Sequence, residues 1–243
     1  MTNSQTKSAK KTTGVKNIRP AEPIEPPKPR SRILIVDDHP AVREGLALRI
    51  EGQPDLEVCG QAADVPEALR AVPATRPDIA VVDISLKSGN GLDLIKRLKT
   101  HPHPVRILVW SMHGENLYAE RALRAGAAGY ITKEEATDQI IEAIRQVRDG
   151  KVYLSDRMKE HMLKRAVTHA ANPIRSPVED LSDRELEVFQ MIGQGLDTQS
   201  IAKKMFLSPK TVETYVSRIK KKLDLASSRE LLQRAAQWEM TKA

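Results

Sequence analysis

Five side chains in the first two thirds of the chain are of the types that together handle a phosphoryl group: Asp37, Asp38, Asp83, Ser111 and Lys133. Each follows or ends a short apolar run, at Ile33 to Val36, Ile79 to Val82, Arg106 to Trp110 and Gly129 to Ile131. Two carboxylates ~4 Å apart repel by roughly 4 kcal/mol at an effective dielectric near 20, so three brought together need a cation or a raised pKa. Mg²⁺ suits such a group, because it takes oxygen ligands and works through one or two carboxylates plus phosphate oxygens. With the metal bound, one carboxylate can act as nucleophile on phosphorus while Lys133 and the metal stabilise the equatorial oxygens.

This chemistry depends on elements that bring the five residues to one place. From residue 32 the chain alternates short β-branched runs with amphipathic stretches. Strands are expected at Arg32 to Val36, Leu56 to Ala62, Ile79 to Val82, Arg106 to Trp110 and Gly129 to Ile131. Helices are expected near 41–51, 65–72, 91–100, 117–125 and 137–149. Interleaving of this kind implies parallel crossovers, hence an α/β doubly wound five-stranded sheet covered on both faces. In the flavodoxin-like order 2-1-3-4-5, the first and third strands are neighbours and the three carboxylates converge beyond their carboxyl ends.

The segments Ile33-Leu-Ile-Val-Asp-Asp-His-Pro40, Val81-Val-Asp83, Trp110-Ser-Met-His113 and Gly129-Tyr-Ile-Thr-Lys133 resemble the receiver domain of two-component response regulators of the NarL/FixJ type. The resemblance implies that Asp83 is the phosphoacceptor for a histidine kinase and that Asp38 binds Mg²⁺ directly. By the same resemblance Asp37 acts through water, the Ser85 carbonyl is the third protein ligand, Ser111 is the switch hydroxyl, Tyr130 the switch aromatic and Lys133 the phosphate partner. An aromatic at Tyr130 is expected to pack inward only if the serine region has moved. Two positions depart from the common receiver pattern: the loop after Asp83 lacks an early proline, and Glu134 follows Lys133 where many receivers have proline. The second makes a cis peptide there improbable, since a non-proline cis bond costs ~3 kcal/mol.

After a stretch near 156–170 of helical pattern and a break at Asn172 to Val178, the periodicity is helical only. Leu181-Ser-Asp-Arg-Glu185 has the form of a capping box, with Leu181 and Leu186 as a hydrophobic staple. Four helices are expected near 183–193, 198–205, 209–223 and 228–238. Ser208 and Pro209 read as N-cap and first residue of the third. On it Val212, Val216, Ile219 and Leu223 share one face, and Lys210, Thr214, Ser217 and Lys221 lie opposite. The run from Leu181 to Leu223 resembles the LuxR-type helix-turn-helix. That resemblance implies that residues 209–223 enter the major groove, with Lys210, Thr214 and Ser217 nearest the base edges and Thr211, Arg218 and Lys221 nearer the backbone. Glu213, at the edge of this surface, could accept from a cytosine amine.

Composition agrees with two globular domains. The chain has 243 residues, is 40% apolar and 29% charged, and contains one cysteine, Cys59, which excludes collagenous and disulfide-stapled classes. Its net charge of +7 is unevenly placed: +5 over residues 1–30, −3 over 31–150 and +3 over 181–243. The expected organisation is a disordered basic, Pro-rich arm (1–30), a receiver domain (31–150), a linker with partial helix (151–178) and a helix-turn-helix domain (179–243). The apolar runs are too short to span a bilayer and the start lacks the apolar region of a signal peptide, so a cytoplasmic location without membrane contact is expected. The functional expectation is a phosphorylation-dependent, DNA-binding transcriptional regulator, not an enzyme. Its expected partners are a sensor histidine kinase, double-stranded promoter DNA and a second copy of itself. The alternatives are a constitutive DNA binder with a dimerising receiver, and a Mg²⁺-dependent phosphohydrolase, for which the Asp-x-Asp nucleophile spacing is missing.

Overall fold

A computed structural model describes residue 1 and residues 29–87, 89–135, 138–169 and 177–240. The expected arm lies outside the described residues apart from Met1, Pro29 and Arg30, and so do residues 170–176 of the expected linker.

Five short β-branched runs form strands β1 (Ser31–Val36), β2 (Leu56–Ala62), β3 (Ile79–Val82), β4 (Arg106–Ser111) and β5 (Gly129–Thr132). All pair in parallel, in the order β2-β1-β3-β4-β5. The helices between them are α1 (Pro40–Glu51), α2 (Val65–Thr75), α3 (Gly91–Lys99), α4 (Glu115–Ala125) and α5 (Gln139–Arg148). The two-residue alternation of the strands sorts the core into two layers. Ile33, Ile35, Ile79, Val81, Leu108 and Ile131 face one layer with α1 and α5, while Leu34, Val36, Ala80, Val82, Ile107 and Val109 face the other with α2, α3 and α4.

Several boundaries differ from the sequence expectation. Helix α2 runs through Pro73 to Thr75 rather than stopping at 72, and ends on Arg76 in the left-handed region at φ 46°. Proline removes one helical donor, which the buried Ala68 and Val72 face outweighs in this last turn. Strand β4 extends to Ser111 and β5 to Thr132, so both polar residues are still ladder-bound at the sheet edge. Between α3 and the strand before it, the packing is extreme: a Cβ placed on Gly91 would sit 2.1 Å from the Asp83 carbonyl oxygen. Gly91 N also donates to Ile84 O at 2.8 Å.

The segment after α5 is not a free spacer. Tyr153 bridges to Gly129 in parallel at the β5 edge, and Leu154 and Met158 are buried, the latter on α6 (Asp156–His169). A single 3-10 turn at Pro177–Asp180 leads into four helices: α7 (Asp183–Gly193), α8 (Thr198–Lys204), α9 (Pro209–Lys222) and α10 (Ser228–Met240). The capping box forms as expected, Glu185 N donating to Ser182 Oγ and Ser182 N to Glu185 Oε2 at 2.7 Å. Leu181 and Leu186, the expected staple, are both buried. The helical unit packs on the α3–α4 side of the sheet, and its core, including Leu181, Leu186 and Phe189, is continuous with that layer.

Candidate functional site

The neighbouring positions of β1 and β3 place Asp37, Asp38 and Asp83 together, as the strand order requires. Ligand atoms of these three and of His39 all lie within 4.8 Å of one another. Asp37 and Asp83 are buried. Lys133, from the turn after β5, bridges them: its Nζ donates to Asp37 Oδ2 at 2.5 Å and to Asp83 Oδ2 at 2.6 Å. Burial works against the lysine charge, but the facing Asp83 and Asp37 carboxylates outweigh it and hold the ammonium above its usual range. On the other oxygen of the Asp83 carboxylate, Ser111 Oγ donates to Oδ1 at 2.6 Å. All five residues singled out in the sequence are thus in one cluster.

The remaining acid, Asp38, is oriented differently. Burial raises its carboxyl above the ordinary value, a shift that His39 partly offsets and that Asp37 and Asp83 increase. Its Oδ1 is buried without a hydrogen bond, although His39 Nδ1 lies 2.8 Å away. A partly desolvated carboxylate oxygen faced by the His39 ring and set beside two more acids is a donor set that a hard, oxygen-seeking divalent cation fits.

Tyr130 and Ser85 occupy positions the residue types alone did not reveal. Tyr130 is fully buried and donates its hydroxyl to His113 O at 2.6 Å, so the inward position is already filled while Ser111 points at Asp83. Ser85 Oγ meets His113 Nε2 at 2.7 Å, and Ser85 N faces Asp83 Oδ1 at 3.4 Å. His113, which carried no expectation, therefore joins the loops after β3 and β4. Its ring also stacks on Tyr118, with centroids 4.5 Å apart.

From Tyr118 the contacts pass into the helical unit. The Tyr118 hydroxyl donates to Gln190 Oε1 on α7 at 2.7 Å, with both residues buried. Arg121 donates to the carbonyls of Leu181, Val178 and Glu179 and pairs with Asp183 at 3.1 Å. Lys96 reaches the same Asp183 at 2.9 Å, and Asn90 Nδ2 donates to Glu187 at 3.3 Å. The α3–α4 face and α7 are docked.

Helix α9 is left open by this docking. Lys210, Glu213, Thr214, Ser217, Arg218 and Lys221 are exposed, Thr211 is partly so, and Val212, Ile219 and Leu223 are buried on the opposite side. Ser208 caps the helix, accepting from Thr211 N at 3.1 Å, with Pro209 in its first turn. Of the three consecutive lysines that end the helix, Lys222 donates inward to Asp180 O and Glu185 Oε2, leaving Lys220 and Lys221 to supply the basic margin. Thr214 Oγ1 likewise bonds back to Lys210 O at 2.9 Å.

Fold and site together define a two-part protein, an α/β domain with an acidic cluster at its strand ends, docked against a helix-turn-helix unit. Comparison with known proteins carries this to a family. Residues 33–145 match the response regulator receiver domain, and residues 179–235 match the bacterial regulatory proteins of the luxR family. The chain is 36% identical to the oxygen regulatory protein NreC of Staphylococcus carnosus, over 84% of this chain and 96% of that protein. It is 34% identical to the DNA-binding transcriptional activator DevR/DosR of Mycobacterium tuberculosis, over 80% of this chain and 88% of that one. Among solved structures, a LuxR-family two-component response regulator from an Aurantimonas species is 35% identical and covers 57% of this chain and 99% of its own, with a TM-score of 0.54. RcsB of Salmonella enterica serovar Typhimurium, at 23% identity and a TM-score of 0.58, shares the fold over 85% of this chain and 98% of its own. The chain belongs to the response regulators that join a receiver to a LuxR-type DNA-binding domain, and is a transcriptional regulator. Among the described residues, no helix is long and apolar enough to cross a membrane.

Proposed function

We propose that Asp83 accepts a phosphoryl group from a histidine kinase and that this event controls how the helix-turn-helix unit engages promoter DNA. The observation that carries the reading is the clamp on Asp83: Lys133 on one oxygen and Ser111 on the other, each within 2.6 Å. A phosphoryl group bonded to Asp83 exchanges these partners for phosphate oxygens, which both groups can still reach as charge-assisted donors. Asp38, Asp83 and the Ser85 carbonyl would hold Mg²⁺, with Asp37 acting through water. When bound, the metal offsets the charge gathered on the transferring oxygens.

Movement of Ser111 and Lys133 is transmitted because the loop after β4 carries His113, and His113 touches Ser85, Tyr130 and Tyr118. The last of these holds Gln190 of α7. Loosening the dock frees the helical unit to pair with that of a second copy, placing two α9 helices in successive major grooves about one turn apart. Lys210, Thr214 and Ser217 then meet base edges, Thr211, Arg218 and Lys221 meet the phosphates, and Glu213 lies at the margin.

The open α9 face supports a second reading, in which the chain binds DNA constitutively and the receiver only dimerises. One experiment separates the two. Operator affinity is measured with and without an acyl phosphate and Mg²⁺, for the wild type and Asp83→Ala, with intact mass following the adduct. An affinity gain in the wild type alone is expected; equal responses in both proteins reject phosphorylation control.

A further inference from the structure

Between the phosphoacceptor loops and the helical unit lies a cavity of about 700 Å³, within the ~300–1,000 Å³ range of small-molecule sites. One wall is the receiver: Asp38 and Ser85, which flank the acceptor, with Lys87 and His113. The opposite wall is the docked domain, with Met191 on α7, Leu196 in the turn after it, Lys203 and Lys204 at the end of α8 and Met205 capping it. The lining is thus apolar at Met191, Leu196 and Met205 and carries three exposed lysines, Lys87, Lys203 and Lys204. Of the carboxylates lining it, Asp38 belongs to the metal-binding cluster, and Glu187 is engaged by Arg184 at 3.0 Å and Asn90 at 3.3 Å.

Any donor to Asp83 has to place its leaving group on the side of phosphorus away from the attacking oxygen. We propose that this interdomain cavity is the leaving-group pocket for a small acyl phosphate, so that the docked DNA-binding domain supplies half of a donor site. The proposal rests on Asp83 being the phosphoacceptor. An Asp83 carboxylate oxygen bonds to phosphorus as the bridging P–O bond of the donor breaks. The electron pair of that bond departs with the carboxylate, and no proton or redox partner is needed. The acyl or aroyl group lies against Met191, Leu196 and Met205, and the released carboxylate faces Lys87, Lys203 and Lys204. A cavity this large is underfilled by a methyl group, so the site favours donors with a larger apolar acyl group over acetyl phosphate.

The full chain with Mg²⁺ is treated with acetyl phosphate or benzoyl phosphate, and formation of the Asp83 adduct is timed by intact mass. The benzoyl-to-acetyl rate ratio is compared between the wild type, Leu196→Ala and Lys203→Ala, which cancels the intrinsic reactivity of each donor. The ratio should fall about tenfold in Leu196→Ala, the scale of one or two buried methylene equivalents, and severalfold in the surface variant Lys203→Ala. Benzylphosphonate, which has no bond to break, should bind the wild type and lose affinity by a similar factor in Leu196→Ala, as read by calorimetry. Equal ratios in all three proteins, with Asp83 still labelled by acetyl phosphate, overturn the pocket and leave the phosphoacceptor reading intact. Labelling by neither donor overturns both.

Discussion

The hydroxyl of Tyr118 on α4 donates to the side-chain carbonyl of Gln190 on α7 at 2.7 Å, joining two domains whose residues are 72 positions apart. Burial holds the tyrosine well above its ordinary pKa, so it remains a donor throughout the usable pH range. Tyr118→Phe leaves the Gln190 oxygen buried without its donor, a loss of about 1–3 kcal/mol. The expected outcome is a population of undocked molecules raised by about tenfold, read as a larger radius of gyration in X-ray scattering of the unphosphorylated protein. Unchanged scattering would show that the hydroxyl does not hold the dock.

Arg121 is the stronger fastener, because one guanidinium serves three carbonyls and the Asp183 carboxylate. Arg121→Ala should open the dock more than Tyr118→Phe, since truncation leaves several half-buried acceptors unpaired. Lys in its place should recover only part of the effect, because an ammonium cannot present the planar fork. Hydrogen exchange of the α7 amides, faster in the order wild type, Arg121→Lys, Arg121→Ala, is the check.

In the acidic cluster Lys133 stands between two buried carboxylates. In Lys133→Met those carboxylates face each other without compensation, so the protein should become dependent on a divalent cation for its stability. The expectation is a thermal midpoint several degrees below wild type in chelator, with most of the loss restored by millimolar Mg²⁺, while the wild-type midpoint changes less between the two conditions. A variant midpoint indifferent to Mg²⁺ would count against the acidic trio as the metal's seat.

A pH test addresses the far edge of the receiver. Hydrogen bonds from Arg145, and secondarily Arg148, hold the Asp55 carboxyl well below its ordinary value of 3.8. A depressed native pKa stabilises the fold above the unfolded value and is lost as pH falls through the native one. The pair is about one third exposed, so Asp55→Asn should cost only about 1 kcal/mol near neutrality. The difference in urea midpoints should hold from pH 7 to 5 and shrink below pH 4.

On α9, the division between phosphate and base contacts predicts different signatures. Lys221→Ala should weaken all duplexes alike and lower the salt slope of log affinity by about 1, whereas Ser217→Ala should change sequence preference with little change in slope. Filter binding on a randomised half-site library at two salt concentrations separates these outcomes.

What the sequence revealed and what it hid follow from the range of the interactions. The strands, their order and the meeting of Asp37, Asp38, Asp83, Ser111 and Lys133 were legible, since each strand announces its own faces and each reactive residue sits at a strand end. Ser182 and Ser208 announced their helices because a cap acts within three residues. The dock had no such signal. Tyr118, Arg121 and Asn90 read as ordinary residues of the α3–α4 region, and their partners Gln190, Asp183 and Glu187 as ordinary residues of an amphipathic helix. Only the folded surfaces bring them together. The inward Tyr130 was hidden for the same reason, its acceptor being a main-chain carbonyl in another loop.

Gly91 gives Asp83 an unexpected reach. With no room for even a methyl group between the first residue of α3 and the Asp83 carbonyl, strand end and helix cannot slide past one another and must travel as a single lever. Asn90 and Lys96 ride at two points on that lever, and both grip α7. A tilt of a fraction of an ångström at Asp83, where we propose the phosphoryl group attaches, would therefore reach the junction through the α3 backbone and these two side chains, a second, stiffer line of communication parallel to the histidine–tyrosine stack.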